Sequence, residues 1–437
     1  MSKKKILFSV MALVAGLFFM PVVNAKEAPT MEDNLFFANG TAVTIEARDD
    51  GVAGAKITWE GGEKIVDANT VVFGGSHESE ERIASTSVTM NGGEVRGVFG
   101  GGLHKSNVGS TNVTINAGKL NFVQGGGASS FSGTTCHRPW YSGDAKNSPN
   151  RVDEAEVVVV NGTGTGSYPI VYGGGEGISY VGTTDVKVQG GNWDYVIAGG
   201  SNGYTGVSNL TITGGVIGIV QSVNRGSMDE ANISISGGTI TNAYVGGDAS
   251  DAGVTGTIAA ANMEITGGTV TNAYVGTNGG QRVSAKDVAT LVYNKDAVQN
   301  VDETQFEADS VVATVKLTIS AEGETEVIDI PVGSKLTQDE IDALVAELNA
   351  ELEGTGFSFD GFYKDEKFEE KFDWTQEIND DVVVYVKLVQ LREDQDNNEN
   401  ENITNPETSD IGLVGIITTI VIAGAGLGYT IKKRRFN

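Results

Sequence analysis

The sequence predicts a mainly β protein: a right-handed parallel β-helix, then a small α+β module, then a C-terminal transmembrane helix. Three observations carry this. A unit of two short alternating runs around a Gly-Gly recurs between about residues 60 and 280. Glycine is abundant, at 60 of 437 residues, while aromatics make up only 7%, a composition of many turns rather than of a helical bundle. Residues 411–431 carry no charge and are followed by Lys432, Lys433, Arg434 and Arg435.

The formal net charge of −27 repels phosphate backbones and argues against nucleic acid as a partner. Cys136 is the single cysteine, so no intramolecular disulfide can form and stability must come from packing.

Residues 1–25 read as a secretory signal. Lys3, Lys4 and Lys5 precede the apolar run "ILFSVMALVAGLFFM", and Val23 and Ala25 are small residues at cleavage positions, so cleavage after Ala25 is expected. An uncleaved anchor is the plainer alternative, but the run is short for one. Residues 26–60, with "NLFFANGTAVTIEA", are expected to cap the open edge of the repeats.

Residues 61–300 hold the repeats. "SVTMNGGEVRGVFGGG" (87–102), "NVTINAGKLNFVQGGG" (112–127), "DVKVQGGNWDYVIAGG" (185–200), "NLTITGGVIGIVQSV" (209–223), "NISISGGTITNAYVGG" (232–247) and "NMEITGGTVTNAYVG" (262–276) align, with an imperfect copy at 156–175. In "NLTITGG" Leu210 and Ile212 point one way and Thr211 and Thr213 the other. Gly214 and Gly215 permit a turn with positive φ. Such short strands bury a face only when copies stack. Leu210, Ile233 and Met263 should form one interior column, and Ile212, Ile235 and Ile265 its neighbour. A β-sandwich or β-propeller of hairpins is the competing arrangement, although propeller blades need about 40 residues each.

Residues 128–154 break the pattern as an inserted loop carrying Cys136, His137, Arg138, Trp140, Tyr141 and Asp144. Functional side chains on a loop above a rigid scaffold make a candidate binding site, with Trp140 and Tyr141 foremost; the plainer reading is a surface loop or flap. Trp193, Tyr195 and Tyr204 could form a sugar-stacking platform, although a structural role is the plainer reading. Tyr244 and Tyr274 share a phase and should stack as a ladder.

Residues 310–390 change character. "VVATVKLTISA" and "EVIDIPVG" alternate like strands, and "LTQDEIDALVAELNAEL" reads as a helix. Thr337 and Glu340 complete a capping box, Leu336 and Ile341 suit a hydrophobic staple, and Ile341, Leu344, Val345 and Leu348 form one apolar stripe. Asp380 and Asp381 read as turn residues before a strand. Phe359, Gly361, Phe362, Tyr363 and Asp365, then Phe368 and Phe372, then "VVVYVKLV", resemble the internalin-type B repeat of Gram-positive surface proteins, with Phe362 where that family has Trp and without its terminal Trp. The resemblance spans about 80 residues and implies a β-grasp fold with an adhesive or spacer role. Residues 391–404 are acidic and polar, a flexible linker.

Residues 405–437 end the sequence with "NPETSD", the 411–431 span and the basic tail. At about 1.5 Å per residue the span crosses a bilayer core, and the basic cluster stays cytoplasmic. A plain membrane anchor is the bland reading. The order of these parts resembles the cell-wall sorting signal of Gram-positive surface proteins. Asn405, Pro406, Glu407, Thr408 and Ser409 take the place of that family's LPxTG motif, with Asn405 for Leu and Ser409 for Gly. The resemblance implies sortase and peptidoglycan as partners, a membrane-held precursor, and acyl transfer at the Thr408 carbonyl.

No catalytic constellation emerges. Asp185, Asp194, Asp229, Asp248 and Asp251 fall at different phases of the repeat, and His77, His104 and His137 share no metal-ligand spacing. No cofactor or metal is expected. The chain reads as an adhesin-type protein held in the cell wall that binds an extracellular glycan or protein. A polysaccharide lyase or hydrolase on the same scaffold is the alternative, and a passive surface-layer component the blandest one.

Overall fold

The computed structural model describes residues 27–129, 144–247, 257–275, 284–302, 311–321 and 323–391. The expected signal peptide, the core of the inserted loop with Trp140 and Tyr141, the linker, the sorting motif and the 411–431 span lie outside these residues. Among the described residues no helix is long and apolar enough to cross a membrane.

The chain is mainly β, with two large sheets of mostly parallel strands. Longer strands build one sheet: His77–Met90, Leu103–Ile115, Asn150–Val159, Tyr180–Val188, Tyr204–Ile212, Ser227–Ile235, Thr257–Ile265 and Ser284–Asn294. Shorter strands build the other, from Leu35–Phe37 and Val71–Phe73 through Asn192–Ile197, Val216–Gln221, Thr239–Tyr244 and Thr269–Tyr274 to Val298–Asp302. Sequence neighbours alternate between the sheets, and each strand pairs in parallel with the matching strand of the next repeat.

Register explains why the copies share a phase. Val186, Leu210, Ile233, Met263 and Leu291 stand in line, as do Val188, Ile212, Ile235 and Ile265. From the facing sheet come Val171, Val196, Val220, Ala243 and Ala273. These side chains are buried in one continuous core. The two expected columns are therefore present. Gly215, Gly238 and Gly268 all have positive φ, as the Gly-Gly turns require.

A second set of glycines allows close approach. A Cβ on Gly100 would lie 2.4 Å from Gly125 O and 2.8 Å from the Cβ of Thr111. Beside these glycines runs a buried hydroxyl ladder. Thr86 and Thr111 donate to Gly100 O and Gly125 O, each at 2.7 Å, and Ser208 donates to Ala198 O at 2.7 Å. These three hydroxyls are thus satisfied, and each tie joins one sheet to the turn that follows the other.

Before the repeats, Thr30–Glu32 pairs antiparallel with Leu35–Phe37, and Val43–Ala47, Ala55–Trp59 and Gly62–Val66 form an antiparallel meander along the edge of the long-strand sheet. Beyond the repeats, Val311–Ala321, Glu324–Pro331, Phe357–Tyr363 and Val382–Gln390 pair as strands, and the helix Gln338–Leu352 buries one stripe against them. They have their own core, with Leu317, Leu344, Leu348, Phe362 and Trp374. The capping box is formed. The Glu340 amide donates to Thr337 Oγ1 at 3.4 Å, and the Thr337 amide donates to Glu340 Oε2 at 2.8 Å. Asp381 does more than turn the chain, because it accepts the Lys316 amide at 2.7 Å. Lys295, in the last repeat, binds Asp380 and donates to Asn379 O at 2.8 Å, so this unit is tied to the repeats.

Candidate functional site

The outward face of the short-strand sheet carries a continuous stripe. Its parallel register lines up Phe122, Ile170, Tyr195, Ile219, Asn242, Asn272 and Asn300. Inward neighbours such as Val123, Val171, Val196 and Val220 are fully buried, whereas the stripe residues are half-buried or exposed. Tyr168, 64% exposed, leans on Tyr195 with ring centroids 6.4 Å apart, and Val216 flanks the stripe at 56% exposure. The asparagines then take over: Asn272 Nδ2 donates to Asn242 Oδ1 at 3.0 Å and Asn300 Nδ2 to Asn272 Oδ1 at 3.2 Å. Aromatic and aliphatic surface beside oriented amides suits the mixed apolar and hydroxyl faces of a sugar chain.

The expected aromatic platform is only partly there. Tyr195 lies on the stripe. Trp193 does not: it is 2% exposed, because it shares the inward column of Ile217, Ile240 and Val270. Tyr204 belongs to a different group. Its ring stacks on Tyr180 at 5.6 Å, Arg151 lies 3.8 Å over the outer face of Tyr180, and Lys146 lies 4.4 Å over Tyr204. Burial, and then the Asp229 carboxylate that accepts its hydroxyl, raise the Tyr204 phenol above its ordinary pKa. Those ring faces are occupied, by Lys146 from the turn Ala145–Asn147 and by Arg151, which lies in the strand Asn150–Val159 and not in the expected 128–154 loop, so this is a packed ladder rather than a platform. Tyr244 and Tyr274 stack at 4.6 Å, as their shared phase predicts.

Sequence phase alone missed one acidic neighbour pair. Glu156 and Asp185 stand in register on adjacent strands, within the outward column Asn112, Glu156, Asp185, Asn209, Asn232 and Asn262. Lys187 Nζ lies 3.3 Å from Glu156 and 3.0 Å from Asp185, and these contacts, Asp185 first, raise its pKa. Asn112 also donates to Glu156, at 2.8 Å. The pair is held as an ion-paired link in an amide ladder.

The histidines correct the sequence reading more sharply. His77 and His104, 27 residues apart, come together at the corner where the short-strand sheet leads into the long one. His77 Nε2 lies 3.1 Å from His104 Nδ1, and Glu78 Oε1 lies 3.2 Å from His104 Nδ1 and 3.8 Å from His77 Nε2. The spacing is one repeat, so linear motifs do not show it. The visible signal is "FGGSHE" at 73–78 followed by "FGGGLHK" at 99–105. His77 pairs with Leu103, which sets Glu78 beside His104, and both of those residues turn with positive φ, at 54° and 58°. Burial pushes the His104 imidazole below its ordinary pKa, and His77 pushes the same way against the opposing pull of Glu78. Together these three residues could hold a metal ion.

Compared with known proteins, the chain matches no family model, no curated protein and no solved structure.

Proposed function

We propose that this chain is an adhesin-type surface protein held in the cell wall of a Gram-positive bacterium, and that it binds an extracellular glycan along the outward stripe of its short-strand sheet. The stripe from Phe122 through Tyr195 to Asn300 is the observation that carries the binding half. The wall-held half is supported by the sequence: the basic, apolar and small-residue order that ends at Ala25, and the resemblance of Asn405 to Ser409 with the 411–431 span and basic tail to a sorting signal. On that reading sortase joins Thr408 to peptidoglycan through an acyl-enzyme, and the membrane holds only the precursor.

The repeats are read as a right-handed parallel β-helix. The alternation of strands between two sheets and the unbroken parallel registers support this, as does the right-handed rule for parallel crossovers. Residues 310–390 are read as a β-grasp spacer of the internalin B-repeat type, a reading supported by the helix Gln338–Leu352 set among the strands of its own core. A stiff stack of repeats on a spacer and an acidic tether would carry the stripe clear of the wall.

The alternative is a polysaccharide lyase or hydrolase, and the in-register Glu156 and Asp185 are what favour it. One experiment separates the two. The purified chain is applied to an array of glycans and matrix proteins, beside Tyr195→Ala and Asn272→Ala, and is then incubated with any glycan it retains. Retention that both variants weaken, with the glycan left intact, is the expected result. Retention unaffected by either variant would overturn the assignment of the stripe, and depolymerisation lost in Glu156→Gln would establish the enzyme instead.

A further inference from the structure

We propose that His77, Glu78 and His104 form a binding site for a first-row divalent metal ion of the zinc type. The triangle of donor atoms is the first reason. With edges of 3.1, 3.2 and 3.8 Å, a point about 2.0 Å from all three atoms exists near their plane. Zinc bonds to imidazole nitrogen and carboxylate oxygen measure about 2.0–2.1 Å, which makes the edge of a tetrahedral site about 3.3 Å. Small side-chain adjustments therefore complete three corners of a tetrahedron.

The second reason is the way His77 is fixed. Its Nδ1 lies 2.9 Å from Glu32 Oε2. A carboxylate only accepts, so Nδ1 of His77 carries a proton and its Nε2 faces His104 and Glu78; by the same rule Glu78 draws a proton to His104 Nδ1, and the incoming ion would displace that proton. A carboxylate behind a ligating histidine is the usual outer support of a metal site. The ring also lies flat against Phe37, with centroids 5.1 Å apart and planes 9° from parallel. His77 is thus held by two contacts from the N-terminal hairpin before any ion arrives.

The corner opens to solvent: the side chains of His77, His104 and Glu78 are 24%, 23% and 57% exposed. An ion can enter, and water can take the fourth position. Two imidazoles exclude calcium and magnesium, which take oxygen ligands, and suit zinc and its first-row neighbours. The ion would join the first two long strands and, through Glu32, the hairpin that precedes the repeats. Binding to the folded form alone would then stabilise that edge of the sheets.

The test uses the purified, metal-free full chain titrated with zinc chloride by calorimetry, with X-ray absorption spectra of the zinc-loaded protein. The expected result is one tight site per chain, insensitive to millimolar calcium or magnesium, with two imidazole nitrogens and oxygen around zinc. His77→Ala and His104→Ala should each weaken it about 100-fold or more, and Glu32→Gln about 10- to 100-fold, with unchanged far-ultraviolet circular dichroism. His137→Ala should leave it intact. Absence of a one-to-one site, a site that survives both His77→Ala and His104→Ala, or a spectrum with oxygen ligands alone would overturn the proposal. The spectrum keeps the test decisive even if a variant misfolds.

Discussion

Leu210→Ala probes the interior column most directly. Leu210 is fully buried, with Val186 beside it in one neighbouring strand and Ile233 in the other. Truncation removes three carbons, worth about 2.4 kcal/mol at about 0.8 kcal/mol for each buried methylene. A residual cavity adds to this, because strands fixed by hydrogen bonds on both sides cannot close on it. Buried Leu→Ala changes span about 2.7–5 kcal/mol, and about 3–4 kcal/mol is expected here. The described residues form two large separate cores, so a single unfolding midpoint would mix them. Native-state hydrogen exchange read by mass spectrometry separates them. Peptides across 180–240 should lose protection about 100- to 1,000-fold, and peptides across 315–388 should not change. Val216→Ala, on an exposed residue of the partner sheet, should stay within about 0.5 kcal/mol. A loss below about 1 kcal/mol for Leu210→Ala, or an equal loss for Val216→Ala, would refute the packing of the column.

Gly100→Ala should destabilise the repeats by about 1–3 kcal/mol, read as faster hydrogen exchange in peptides across 97–127, because its Cβ would press on Gly125 O of the next repeat; Gly323→Ala meets no atom within 4 Å and should show only the milder strain of its positive φ. Thr337→Ala should cost about 1 kcal/mol through loss of the helix cap, read as faster exchange in peptides across 338–352 with the repeats unaffected. Tyr195→Ala should weaken glycan retention and change protection of the core by no more than about 1 kcal/mol, since its half-buried ring faces outward and loses contacts to its strand neighbours and Tyr168.

Much of the repeat architecture was legible because the pattern is written the same way in each copy. Leu210, Ile233 and Met263 occupy one phase, and stacking turns phase into contact. The capping box at Thr337 and the Tyr244–Tyr274 stack were readable for the same reason: local spacing fixes them. The phase of Trp193, that of Ile217 and Ile240, points inward and bears out the plainer structural reading over the sugar-stacking one, which residue type alone suggests. The asparagine that opens "NLTITGG", "NISISGG" and "NMEITGG" is an outward ladder position, where Asn262 donates to Asn232 at 3.1 Å and Asn232 to Asn209 at 3.3 Å. Metal-ligand spacing alone does not show the His77–His104 meeting, for a geometric reason. The residues are one repeat apart, and the pairing of His77 with Leu103, which sets His104 beside Glu78, departs by one residue from the register of Arg82 with Asn107 further along the strands.

Attachment to the wall is the central claim, and the form of the C-terminus in the producing cell tests it most directly. Wall fragments released by muramidase are digested and the C-terminal peptide is sequenced by mass spectrometry. The expected peptide ends at Thr408 in an amide bond to a peptidoglycan amine, and Thr408→Ala shifts the protein to the membrane fraction. A chain recovered from membranes with "KKRRFN" intact, or wall linkage that persists in Thr408→Ala, would contradict it.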